Sequence, residues 1–199
     1  CCNSRLKKSD CEHAWETYYD SEIGESATIA KIVPVIINYS VGKAKYEKQP
    51  DENDIDVLNR IATWKIPWFA PTNKWPEGEK TQEPIKLGIE RIHQIYIKRS
   101  LVALASIYDY CCENGLMAVL TKIVFRLTKM YRLTYQGGTW GAGGGPMNGT
   151  LYIPSLIKEI NVCKQLEENN ADILTIMTAN KSGNNIVSLQ SLTQYPQLP

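Results

Sequence analysis

Cysteine, histidine and glycine are the residues of this chain with most to offer chemically. Six cysteines stand at Cys1, Cys2, Cys11, Cys111, Cys112 and Cys163, against two histidines, His13 and His93. A structural zinc site wants its thiolates paired at C-x-x-C or a similar spacing. No such pair occurs, so no metal site is expected. Catalysis is poorly supplied as well, with no G-x-S-x-G nucleophile elbow and no compact pair of acids. Cys11 and His13, two positions apart, would point to different sides of a helix. A thiol enzyme would have to bring Cys111 or Cys112 to His93 from a distant segment. The stretch GGTWGAGGGPMNGT (137–150) places Gly144 and Gly149 at the outer spacing of a phosphate-binding loop. Thr150 then occupies the lysine position, which leaves the phosphate charge unmatched. The stretch is expected to be a loop, and no cofactor is expected.

Cysteines in even number, spread over the whole chain, suit disulfides formed in an oxidising compartment. Cys2, Cys11, Cys111, Cys112 and Cys163 are the candidates, with Cys1 set apart by its position. The opening, CCNSRLKKS, resembles the mature start of bacterial lipoproteins, whose first cysteine carries a thioether-linked diacylglyceryl group. That resemblance implies lipid attachment at Cys1, a polar tether over residues 1–8, and membrane contact through the acyl chains. Cys2, standing where aspartate would imply retention at the inner membrane, implies the periplasmic face of the outer membrane.

Two further groups are candidates for binding. Trp64, Trp68, Phe69 and Trp75 fall within a short span, interleaved with prolines and lysines, and Trp140 sits inside the glycine stretch. Exposed indoles suit a sugar, a lipid headgroup or a protein groove, whereas buried ones pin a long loop to the core. Lys122, Arg126 and Lys129 recur at helical spacing where no acidic residue occurs between Glu113 and Glu159. They form a candidate positive strip.

The elements that must position these residues come from an ordinary globular composition. Of 199 residues, 43% are hydrophobic and 22% charged, and the formal net charge is +1. One substantial core is expected, and a nucleic-acid partner is not, since such partners select a basic balance. No run approaches the roughly eighteen apolar residues of a membrane span. Ser9 and Glu12 have capping-box spacing and predict a helix through Tyr19. Ile29, Ile32, Val33 and Ile36 predict a second helix, although the β-branched run VPVIINYSV also reads as a strand. Asp54 is expected to cap a short helix, and the prolines of 65–83 to make a loop. A long helix is then expected from Pro84 to about Cys112, turned by Gly115 into a second helix, with another starting at Pro154.

The expected fold is mainly α. A single helical domain over 9–181 is built around a long antiparallel helix hairpin at about 84–134, with a glycine-rich loop. An extended, uncharged C-terminal arm follows over 182–199. An α+β arrangement is the alternative. Together these features predict a non-enzymatic, extracytoplasmic cell-envelope protein. It would be a structural or adaptor component of a larger secretion- or transfer-type assembly, with other envelope proteins as partners. The alternatives are an inhibitor or immunity protein for one toxin or enzyme, and an enzyme with a dispersed Cys/His site. The sequence leaves the oligomeric state open.

Overall fold

Period-two alternation, rather than helical spacing, organises the first residues of the fold. A computed structural model describes residues 11–136, 139–140, 144–169, 171, 174–175 and 178. Strands β1 (Trp15–Asp20) and β2 (Glu25–Ala30) pair antiparallel, with Glu16 opposite Ile29 and Tyr18 opposite Ala27. Glu16, Tyr18 and Asp20 turn inward while Trp15, Thr17 and Tyr19 face out. The helix expected up to Tyr19 is therefore a strand. Thr17, Tyr18 and Tyr19 fit a pleated, half-buried surface, and pairing with β2 outweighs the local capping-box spacing. The second expected helix is also absent. Residues 31–36 take no regular secondary structure around Pro34, whose ring does not fit a helix interior. They lead into a second hairpin, β3 (Ile37–Val41) with β4 (Ala44–Lys48).

Helix α1 (Glu52–Thr63) begins one turn earlier than expected. Asp51 caps it, and Asp54 completes the capping box by accepting from the Asp51 amide. Residues 64–81 cross as a loop to the single turn α2 (Gln82–Ile85). The long helix expected from Pro84 stops there because Gly88 takes a left-handed φ of 79°. A Cβ at that position would lie 2.1 Å from the carbonyl oxygen of Thr28. The close approach lets the Ala30 amide donate to the Leu87 carbonyl at 2.9 Å, stitching this turn to β2. A 3-10 turn at Ile92–Ile95 follows, then α3 (Lys98–Glu113) and α4 (Met117–Val124), joined through Gly115 at a φ of 67°.

The mainly helical expectation is thus overturned. Among the described residues, helices are interspersed with three two-stranded antiparallel sheets, the third being β5 (Tyr135–Gln136) with β6 (Thr139–Trp140). The hairpin expected over 84–134 contracts to α3 and α4. Beyond α4 the chain makes a 3-10 turn at Phe125–Leu127 and then bridges Thr128 to Tyr96. Pro154 opens no helix, and α5 (Val162–Glu168) starts later under an Asn161 cap. Residues 1–8 and 182–199, expected as tether and arm, lie outside the described residues.

Among the described residues, burial is divided among three small clusters. One joins α3, α4 and α5 through Leu104, Cys111, Leu116, Leu120, Ile123, Leu127 and Val162. A second holds Ile66, Leu101 and Ala105, and a third holds Ile89, Ile95 and Met130. Tyr96 packs against all three.

Candidate functional site

Tyr18 and Asp20 point inward because β1 alternates, and the 3-10 turn sets His93 and Gln94 against them. Asp20 and His93 are 3% and 4% exposed, with 2.8 Å between Asp20 Oδ2 and His93 Nε2. The same oxygen accepts from Gln94 Nε2 at 3.1 Å and from the Tyr18 hydroxyl at 3.3 Å, while Oδ1 accepts from the Glu22 amide at 3.2 Å. Burial alone would raise the Asp20 carboxyl, but the His93 and Gln94 bonds outweigh it and hold its pKa down to about 2. The Tyr18 phenol moves the other way, raised by burial and then by the Asp20 charge. Gln94 Oε1 accepts the amides of Glu90 and Arg91. Beside this group Lys98 Nζ donates to Glu22 Oε1 at 2.6 Å, and the same oxygen accepts the Ile66 amide. Among the described residues, His93 Nδ1 has no hydrogen-bond partner.

An aspartate that orients an imidazole is an acid–base arrangement only if substrate reaches the second nitrogen. His93 is buried and lines neither of the two cavities described below. The group's geometry is that of a strut tying β1 to the 3-10 turn and, through Lys98, to α3.

The residues singled out from the sequence are dispersed. Trp64 and Trp68 are 47% and 39% exposed and meet edge to face at 6.1 Å. Phe69 is exposed and lies on the Tyr108 ring at 4.9 Å. Trp75 instead turns inward, donating from Nε1 to the Ile89 carbonyl beside the third cluster. Trp140 is a residue of β6, and its side chain lies outside the description. Lys122 and Arg126 are exposed, but the helix ends before it carries Lys129 to their face. Lys129 is buried, and desolvation lowers its pKa to about 8 against the opposing charge of Glu16. Cys111, Cys112 and Cys163 are free thiols, Cys11 is exposed, and Cys1 and Cys2 lie outside the described residues. Burial, then the neighbouring Cys112, push the Cys111 thiol up.

Among the described residues, two surface openings stand out. An apolar groove of about 210 Å³ runs between α3 and α4 under Phe69 and Tyr108. A polar crevice of about 330 Å³ lies between β2 and the 88–94 segment, with Lys74, Arg91, Glu25 and Glu90 on its walls.

A further apolar surface lies elsewhere. Every residue from 31 to 49 is exposed except Ile37 and Lys48, which are half-buried. Val33, Val35 and Ile36 are 58%, 65% and 59% exposed. The β3–β4 hairpin has two unlike faces. One carries Ile37, Tyr39, Val41, Ala44 and Tyr46; the other carries Asn38, Ser40, Lys45 and Glu47. Tyr39 stacks on Tyr46 at 5.4 Å, yet both rings remain nearly half exposed. At the base, Lys48 Nζ bonds Asp51 at 2.9 Å and Asp54 at 2.7 Å, fixing the hairpin to the start of α1. Those two bonds raise the Lys48 ammonium to about 12. Residues 31–48 form a finger with an apolar side and an anchored base. Sequence reasoning did not select it, although apolar residues at every second position around Gly42-Lys43 are a hairpin signal.

Comparison of the chain with protein families, with curated proteins and with solved structures finds no match in any of the three. Among the described residues, no helix is long and apolar enough to cross a membrane.

Proposed function

We propose that the protein is a non-catalytic assembly component that docks onto protein through the finger formed by residues 31–48. The carrying observation is the apolar face of β3–β4 and its approach, Ile32–Ile36, left in solvent while the base is held by Lys48. A two-stranded hairpin is marginal alone and gains by packing its apolar face against something. Contiguous exposed apolar surface of this kind marks interaction sites. The Asp20–His93 pair is buried and, among the described residues, no cysteine is bonded to it, which gives less support to a thiol enzyme that needs an accessible thiol beside its base.

The deciding experiment compares the native particle size of the parent with that of Val35→Asp/Val41→Asp, expressed at the parent's level in its source cells. The expected result is a parent sedimenting in a larger particle, and a folded variant sedimenting as free protein. A variant that stays in the particle, or a parent already free, overturns the proposal.

A further inference from the structure

We infer that the finger's partner is a second copy of this chain, joined edge to edge along β4. The inference rests on the finger being the docking surface. Gly42 has a φ of 60° and Lys43 does not have a positive φ, so the two-residue turn is of the II′ kind. In such a hairpin the pair flanking the turn, Val41 and Ala44, exchanges both backbone hydrogen bonds. Alternation then aims the amides and carbonyls of Lys45 and Glu47 away from β3, along the free edge of β4. Among the described residues neither Lys45 nor Glu47 enters an ion pair.

A two-fold axis through Tyr46 converts that edge into its own complement. Antiparallel β4 strands in this register set Lys45 opposite Glu47 of the partner subunit, and Glu47 opposite Lys45 of the partner subunit. Each pair matches charge to charge across the strands and exchanges main-chain bonds. The other edge lacks this property: pairing β3 about Tyr39 sets Asn38 opposite Ser40, with no charge to match. The product is a four-stranded sheet whose apolar faces run together. Each copy brings Tyr39, Val41, Ala44 and Tyr46 to one side. Lys48 is already held by Asp51 and Asp54, which ties the base of the hairpin to the start of α1.

The test is sedimentation equilibrium of the full purified chain over a range of concentrations. The parent is expected at twice its 22.5 kDa mass. Lys45→Glu and Glu47→Lys each create like-charged pairs and should weaken the dimer by at least about tenfold, with circular dichroism unchanged. Mixing the two variants restores opposite pairs and should restore a dimer; so should the double exchange in one chain. A parent that stays at 22.5 kDa throughout, single variants that dimerise like the parent, or a mixture that fails to recover overturns the inference. The assembly role stands or falls separately. A monomeric parent with a particle still sensitive to Val35→Asp/Val41→Asp defeats only the self-pairing. A dimer whose particle ignores that variant defeats only the assembly role.

Discussion

Asp20 collects four donors, from His93, Gln94, Tyr18 and the Glu22 amide, and so remains a carboxylate in a buried place. Its pKa of about 2 lies below the ordinary value of 3.8. Between those values the unfolded chain binds more protons than the folded one. The stabilisation is therefore present above about pH 4 and is lost as pH falls toward 2. Asp20→Asn should lower stability by about 2–3 kcal/mol at pH 7, because its amide meets donors where the carboxylate accepted them. It should also flatten the dependence between pH 4 and 2, as read from urea unfolding at several pH values. An unchanged acid profile would assign that sensitivity to other carboxylates. His93 was visible in the sequence as one of two histidines, but nothing marked its partner. Asp20 lies 73 positions away, and only the inward turn of β1 brings the two together. Lys129 was misleading for a similar reason. Its spacing from Lys122 and Arg126 is helical, yet its amide bonds the Ile95 carbonyl and its side chain is buried.

Elements were legible where local chemistry agreed with tertiary demand. The buried stripe Leu116, Val119, Leu120, Ile123 and Leu127 follows the expected spacing even though regular helix stops at Val124. Gly115 turns the chain with the left-handed conformation expected of it. Gly88 was not legible, because what forbids a side chain there is β2, some sixty positions earlier. Gly88→Ala combines a left-handed φ with a Cβ set against the Thr28 carbonyl, and should cost at least about 2 kcal/mol. Gly149→Ala is the matched control, since its φ is 73° but nothing lies within 4 Å of the added carbon. It should lose only about 1 kcal/mol. Thermal melts of the two variants separate the clash from the dihedral, and equal losses would remove the clash from the explanation. β1 was misread because Trp15, Tyr18 and Tyr19 suit either periodicity over so short a run.

Across the whole molecule, the composition foretold a globular chain but not its division into three small clusters joined at Tyr96. Nor did composition reveal that a stretch as apolar as Ile32–Ile36 would stay outside all of them. Left without a partner, a finger of that kind should also affect how surplus protein is treated in a cell. Extended apolar segments bearing lysines, here Lys31, Lys43 and Lys45, suit chaperones and degradative proteases. Copies that find no partner should therefore be the short-lived ones. In a pulse-chase, overproduced parent should decay in two phases, a fast unassembled fraction and a slow assembled one. Val35→Asp/Val41→Asp, unassembled but lacking the apolar signal, should outlive the fast fraction. A single slow phase for the parent would mean that the finger is not recognised in this way. Where two phases are found, abundance is set less by synthesis than by the number of docking places, and the finger doubles as a stoichiometry gauge.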